Sequence, residues 1–165
     1  MCLNLFKKKK PKVWTFGDNP KVTCKITNWC KYDLITICKI IITQILNLTD
    51  VTLNIVNDDR TLDKFSTEDV QILAILYKTK LPHTYMLYLS SNLHKELLSV
   101  ICHEMVHLKQ YESGDLDLKD YKFYWKGKQY DEPVYWNRPW EKEAKKEQYN
   151  IEKQVKKLYY ETDSR

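Results

Sequence analysis

Two histidines and a glutamate in the segment His103-Glu104-Met105-Val106-His107 are the residues of this chain best suited to carry chemistry. On a helix, successive residues turn by about 100°, so His103 and His107 lie about 40° apart on one face. Their imidazoles can therefore share one metal ion, and this spacing is typical of zinc sites. Glu104 lies on the flank of that face, where its carboxylate can reach a water beside the metal as a general base.

The sequence around the motif favours a metal site over a helix with surface histidines. Most of this predicted helix is apolar, which indicates that it is buried. A buried helix that carries two histidines and a glutamate must satisfy their polar atoms. The apolar positions are Leu93, Leu97, Leu98, Val100, Ile101, Met105 and Leu108.

A catalytic zinc site needs a third protein ligand, and the C-terminal segment offers two glutamates for this role. No histidine follows His107, so the third ligand is predicted to be a carboxylate. Glu141 lies at the border of an apolar stripe that faces the core, whereas Glu143 points nearly the opposite way, among lysines and towards water. We therefore predict Glu141 as the ligand.

Two alternatives for the third ligand remain. Both glutamates could merely complement the positive N-terminal end of their helix. An aspartate could serve instead, since three of them follow soon after His107: Asp115, Asp117 and Asp120.

The elements that must position these residues are predicted from periodicity and from cap and turn residues. A helix capped by Ser91 or Asn92 carries the histidine motif to about Ser113, with Gly114 as its C-terminal cap, and a second helix over 139–160 carries Glu141. The other predicted elements are a buried helix over 32–46, strands over 51–56, 70–77 and 84–89, and an aromatic-rich hairpin over 121–136 that turns at Gly127.

Two segments together resemble a known family. The run from Cys102 to Gln110, followed by a segment from Arg138 in which Glu141 lies three residues before Ala144, resembles the gluzincin branch of the zincin metallopeptidases. It is also similar to small stand-alone metallopeptidase-like proteins of phages and bacteria, over about residues 84–144.

The resemblance implies both a fold and a mode of substrate binding. The fold is a minimal α+β zincin-like fold, in which a small, mostly antiparallel sheet packs on the active-site helix and on a C-terminal helix that carries the third ligand. The resemblance also implies an edge strand just before the active-site helix, along which substrate pairs as an extra strand. The segment 84–89 matches that position.

We therefore predict a zinc-dependent metallopeptidase that acts on a peptide or protein substrate. Zinc held by His103, His107 and Glu141 would supply a water whose pKa is lowered towards ~7 and would polarise the scissile carbonyl. Glu104 would accept the proton of that water and later hand it to the leaving amine. The developing oxyanion needs one more donor, and the candidates are Tyr130, Tyr135, Arg138 and His83.

The bulk properties fit a single domain over residues 1–165, in which residues 1–12 form a basic tail. Five cysteines without a Cys-x-x-Cys pair argue against a disulfide framework and indicate a reducing setting. No segment is long and apolar enough to span a bilayer, and no signal-peptide core begins the chain. We expect a monomer in the cytoplasm of a cell or of a virus-infected host cell, with no membrane association.

Two other functions stay open at this point. The first is a zincin-like binding module that no longer cleaves anything, although the intact Glu104 counts against it. The second is a nucleic-acid-associated protein that uses the lysine-rich run 7–12 and the lysine face of the C-terminal helix, but a net charge of +5 is a weak argument for it. Aromatic side chains between residues 121 and 140 could stack on bases or pack over the metal cleft: Tyr121, Phe123, Tyr124, Trp125, Tyr130, Tyr135, Trp136 and Trp140.

Overall fold

The chain has an α+β fold, as predicted. The computed structural model describes residues 21–25, 31–68, 70–93, 96–131 and 134–163, so the predicted basic tail and His94 lie outside the described residues. Its strands are β1 (Lys21–Lys25), β2 (Thr52–Asn57), β3 (Ala74–Lys78), β4 (Thr84–Leu89), β5 (Leu116–Lys119), β6 (Lys122–Trp125) and β7 (Lys128–Tyr130). Its helices are α1 (Lys31–Ile40), α2 (Asp59–Asp63), α3 (Leu97–Glu112) and α4 (Pro139–Asp163).

The strands form two sheets of different character. The larger sheet has the order β1-β2-β4-β3, in which β2 runs parallel to β1 and β4 while β3 is antiparallel to β4. The smaller sheet, β5-β6-β7, is antiparallel. The expectation of a mostly antiparallel sheet is therefore wrong for the larger one. The chain returns through α1 between β1 and β2, and such a crossover leaves the two strands parallel.

Strand β4 is not at an edge, which corrects the expectation for the segment 84–89. It lies between β2 and β3, and the Leu87 and Leu89 side chains are fully buried. The preceding strand, β3, folds back antiparallel on the outer side of β4 and forms the edge that packs against α3. Strand β3, at Ala74–Lys78, is also shorter than the predicted strand over 70–77.

The predicted helix over 32–46 ends differently from the expectation. A π-helical turn over Ile41–Ile45 follows α1, with the Leu46 N–H donating to the Ile41 carbonyl at 2.8 Å. The Thr43 hydroxyl donates to the Lys39 carbonyl at 2.7 Å and so occupies a carbonyl that α-helical bonding would use. Ile41 and Ile42, adjacent in the chain, are both fully buried.

Helix α3 begins at Leu97 with Glu96 at its N-cap, so the prediction of a cap at Ser91 or Asn92 is wrong by four or five residues. The Ser91 N–H donates to Asp59 at 3.0 Å, and the Ser91 hydroxyl bonds to the same carboxylate, so Ser91 belongs to the turn after β4. The helix ends at Glu112, just before Gly114 at a φ of 75°. A residue with positive φ at this place suits a helix C-terminus, as predicted for Gly114.

Helices α3 and α4 pack against each other, and this contact positions the candidate site. Helix α3 is held on its other side by β3, so it lies between the sheet and α4. A 3₁₀ turn over Tyr135–Asn137 leads directly into α4. Within the described ranges, no helix is long and apolar enough to cross a membrane.

Candidate metal centre

Three potential ligand atoms from α3 and α4 meet where the two helices touch. His103 Nε2 lies 3.2 Å from His107 Nε2, and Glu141 Oε2 lies 3.2 Å from His103 Nε2 and 3.4 Å from His107 Nε2. Four ligands at about 2.0–2.1 Å around a tetrahedral zinc ion lie about 3.3 Å from one another. The three separations therefore fit three corners of such a site, and the donor types are those zinc prefers.

The ligand atoms are held in a buried position. His107 and Glu141 are 7% and 6% exposed, respectively. Trp140 and Ala144 on α4 are also buried and anchor the start of that helix against the core. Glu141 therefore faces the core, as its place beside the apolar stripe predicts.

Glu143 is only partly exposed to water, which corrects the expectation for that residue in part. It is half-buried, and its Oε2 accepts a hydrogen bond from Gln110 Nε2 at 2.8 Å. The periodicity of α4 alone could not reveal this contact, because Gln110 belongs to α3. Of the three rival aspartates, Asp117 pairs instead with Lys78 at 3.4 Å and Lys119 at 3.0 Å.

Two glutamines contact the outer nitrogens of the histidines, and the sequence reasoning missed both. His107 Nδ1 lies 2.8 Å from Gln110 Oε1, and His103 Nδ1 lies 2.9 Å from Gln148 Oε1. Their spacing offered a signal, since Gln110 follows His107 by three residues and Gln148 follows Glu141 by seven. Both spacings place the two residues of each pair on one helix face.

The electrostatics of Glu141 and His107 favour a positive charge between the two groups. Burial on its own would raise the pKa of Glu141, but hydrogen bonds from His103 and His107 lower it to about 2. Burial on its own would lower the pKa of His107, but the hydrogen bond and negative charge of Glu141 raise it to about 9. Without a metal, His107 therefore keeps a proton. This proton occupies the place where a bound cation would be stabilised.

Glu104 lies beside the three ligands and faces the edge strand. Burial raises the pKa of its carboxyl group, and the neighbouring Glu141 adds to the rise, while His107, His103 and the backbone of Leu76 oppose it. The Leu76 N–H donates to the Glu104 carboxylate. Helix α3 thus presents a buried carboxylate of perturbed pKa next to a potential metal ion, an arrangement typical of catalytic sites.

An open cleft of about 420 Å³ gives access to His103 and Glu104. One wall is the stretch from Val70 to Ala74, which leads into β3, and the other is formed by α3 and the 3₁₀ turn before α4. Apolar side chains of this cleft include Val70, Ile72, Leu73, Val100 and Trp136. A chain segment in this cleft would lie beside the stretch that leads into β3 and next to His103 and Glu104.

Of the four predicted oxyanion donors, Tyr135 is the one that reaches this site. Its hydroxyl donates to the Glu141 carboxylate, and its ring lines the cleft. Burial raises the Tyr135 pKa above its ordinary value, so the hydroxyl keeps its proton. Tyr130 and Arg138 pack against Trp140, and His83 pairs with Glu112 at 2.7 Å.

The aromatic residues before α4 pack mainly on one another. The rings of Phe123, Trp125 and Tyr130 lie 5.1, 6.2 and 5.6 Å from the ring of Trp140, measured between centroids. Tyr121, in contrast, is fully exposed. Because Trp140 precedes Glu141, the small sheet supports the helix turn that carries the glutamate.

Comparisons with known proteins do not identify a family. No protein-family model matches the chain, and no curated protein or solved structure matches it either.

Proposed function

We propose that the chain is a zinc-dependent peptidase whose metal is held by His103, His107 and Glu141. The observation that carries this proposal is the triangle of ligand atoms, whose sides measure 3.2, 3.2 and 3.4 Å. If both histidines are neutral with their protons on Nδ1, three lone pairs converge on one point. Such an arrangement is stable only with a cation at its centre.

The residues around the triangle have the properties that peptide hydrolysis requires. Zinc, when bound, supplies a water of lowered pKa and polarises the substrate carbonyl. Glu104 is placed to accept a proton beside the three ligands and to deliver it to the departing amine. The Tyr135 hydroxyl, which keeps its proton, can donate to the oxyanion that develops on the substrate.

The edge strand β3 is the place where we propose that a peptide binds. The Leu73 carbonyl accepts from the Ser90 N–H at 2.9 Å, on the side of β4. Backbone groups alternate in direction along an antiparallel strand, so those of Ala74 and Leu76 point the other way, towards α3. An extended substrate can therefore add to β3 by backbone hydrogen bonds and pass the proposed metal.

The test of this proposal measures metal content and hydrolysis on the same preparation. The purified full-length chain, saturated with zinc and then freed of excess metal, should retain about one zinc per chain. It should cleave members of a mixed peptide library, and a chelator should stop cleavage that zinc then restores. A chain that retains no zinc would overturn the proposal.

The same experiment separates the peptidase from a binding module, and a nucleic-acid binding assay tests the remaining function. A binding module would retain zinc but leave every peptide intact. A nucleic-acid-associated protein would instead bind DNA or RNA with a steep dependence on salt. A reducing, cytoplasmic setting is part of the proposal, and it is supported by Cys102, which is buried as a thiol.

A further inference from the structure

We propose that Gln110 and Gln148 are positioning residues that fix the tautomer and the orientation of the two metal-binding histidines. This inference rests on the metal centre of the proposed function, although it does not depend on hydrolysis. Each glutamine places its carbonyl oxygen on the Nδ1 of one histidine, at 2.8 Å for His107 and 2.9 Å for His103. A carbonyl oxygen only accepts, so each Nδ1 must carry the proton.

The orientation of Gln110 follows from its other partners. Its Nε2 donates to the Trp140 carbonyl at 3.1 Å and to Glu143 Oε2 at 2.8 Å. Both partners only accept hydrogen bonds, so a reversed amide would set an oxygen against two oxygens. The carbonyl end therefore faces His107, and the lone pair of His107 Nε2 is left for the metal.

Gln110 also ties the two helices of the centre together. It is 2% exposed, and its three hydrogen bonds join His107 on α3 to the residues on both sides of Glu141 on α4. One buried amide thus links one metal ligand to the helix turn that carries another. We infer that Gln110 holds the separation between His107 and Glu141.

Gln148 acts on His103 through a different arrangement. Its Nε2 donates to Ser99 Oγ at 3.2 Å, and a serine hydroxyl can either accept or donate. A glutamate at position 148 could therefore keep the bond to His103, with the Ser99 hydroxyl turned round to donate. A glutamate at position 110 would face the Trp140 carbonyl and Glu143 with no proton to offer.

This difference gives a sharp test on the full-length protein. The dissociation constant for Zn²⁺ is measured by competition with a chromogenic chelator for the parent and for Gln148→Met, Gln148→Glu, Gln110→Met and Gln110→Glu. Losing an outer-sphere partner of a metal ligand weakens metal binding by about 10–100-fold, which we expect for Gln148→Met and for both Gln110 variants. Gln148→Glu should bind zinc at least as tightly as the parent does. Gln154→Met serves as the matched control, because Gln154 is exposed on the same helix as Gln148.

The outcomes separate this inference from the metal centre itself. A purely structural role would not let Gln148→Glu restore what Gln148→Met loses. If the parent binds zinc and Gln148→Met binds it equally well, the inference is wrong while the metal centre stands. If the parent binds no zinc, both are wrong. Gln110 is deeply buried, so its variants can fail to fold. In that case the comparison of Gln148→Met with Gln148→Glu tests the inference.

Discussion

Two clusters along α3, one at its centre and one at its C-terminal end, combine histidine with glutamate, yet their atoms are arranged in different ways. Near the end of α3, Glu112 accepts from the Tyr85 hydroxyl at 2.5 Å and from His83 Nδ1 at 2.7 Å. Each carboxylate oxygen there has its own donor. At the centre of the helix, His103, His107 and Glu141 instead turn three potential ligand atoms towards one point. Residue types alone do not distinguish these clusters; the convergence of three potential ligand atoms does.

The outer nitrogens of the histidines explain why the two clusters differ. His83 uses Nδ1 on Glu112, and its side chain is 57% exposed, so its other nitrogen can meet water. In His103 and His107, Nδ1 is hydrogen-bonded to a glutamine amide, and Nε2 points into a buried space. A hydrogen bond to Nδ1 of a histidine thus leaves its Nε2 to face a carboxylate, and the pair can then bind a cation.

The largest effect should come from Glu104→Gln, which leaves the triangle of ligands untouched. We expect the turnover number to fall about 10⁴-fold, because one residue serves as both base and acid, whereas zinc content should stay at the parental value. Glu96→Gln is the matched control, since Glu96 is exposed and lines the same cleft. Parental cleavage rates in Glu104→Gln would show that Glu104 is not the base.

The second-largest effect is expected when the carboxylate of each cluster is removed in turn. The two variants should differ in zinc affinity and in stability. Glu141→Ala should weaken zinc binding by more than the roughly 100-fold expected for losing an outer-sphere partner. Glu112→Ala should leave zinc affinity unchanged and lower the free energy of unfolding by about 1–3 kcal/mol, because it strands the hydroxyl of the buried Tyr85. Titration with a competing chelator and denaturant unfolding measure the two quantities. Equal zinc affinities for the two variants would contradict the comparison.

Tyr135→Phe should have a smaller effect, confined to turnover. Loss of one oxyanion donor lowers turnover by about 10²-fold, and we expect this decrease with cleavable peptides. Because the Tyr135 hydroxyl also donates to Glu141, zinc affinity is measured on the same variant. A tenfold or larger loss of zinc binding would indicate that Tyr135 acts on the ligand and not on the substrate.

The smallest effect is a dependence of zinc affinity on pH. His107 has a pKa of about 9 in the metal-free protein, above its ordinary value of 6.5, so it must release a proton to bind zinc. Zinc affinity should rise about tenfold per pH unit between pH 7 and 8, after correction for the competing chelator. The proton stabilises the metal-free fold below pH 6.5, and this stabilisation is lost as the pH rises through 9. A flat affinity profile would contradict the assignment.

The parts of the site that are local in sequence could be predicted. The face shared by His103 and His107 follows from helical periodicity, and so does the burial of Glu141 beside Trp140. Strand β4 lies at Thr84–Leu89, where the short apolar run predicts a strand. In each case, the local structure depends on residues that are close in the sequence.

The parts that depend on distant contacts could not be predicted. The short apolar run over 84–89 identifies β4 as a strand but does not reveal that β3 lies outside it, because strand order depends on how the chain crosses over. The contact from Gln110 to Glu143 joins residues 33 positions apart and lowers the exposure of Glu143 below the expectation. The π turn over Ile41–Ile45 was not predicted, because hydrogen-bond competition at Thr43 leaves no mark on hydrophobic periodicity.

The hydrogen bond from the Leu76 N–H to Glu104 has a consequence for the order of events in the proposed reaction. Leu76 lies on the outer edge of β3, so a peptide that adds to this edge competes for the same N–H. Once the arriving strand takes that N–H, the Glu104 carboxylate loses a hydrogen bond that stabilises its charge and becomes a stronger proton acceptor. In the proposed peptidase, substrate docking would then make Glu104 a stronger base, and the chain without substrate would hold Glu104 in a less reactive condition.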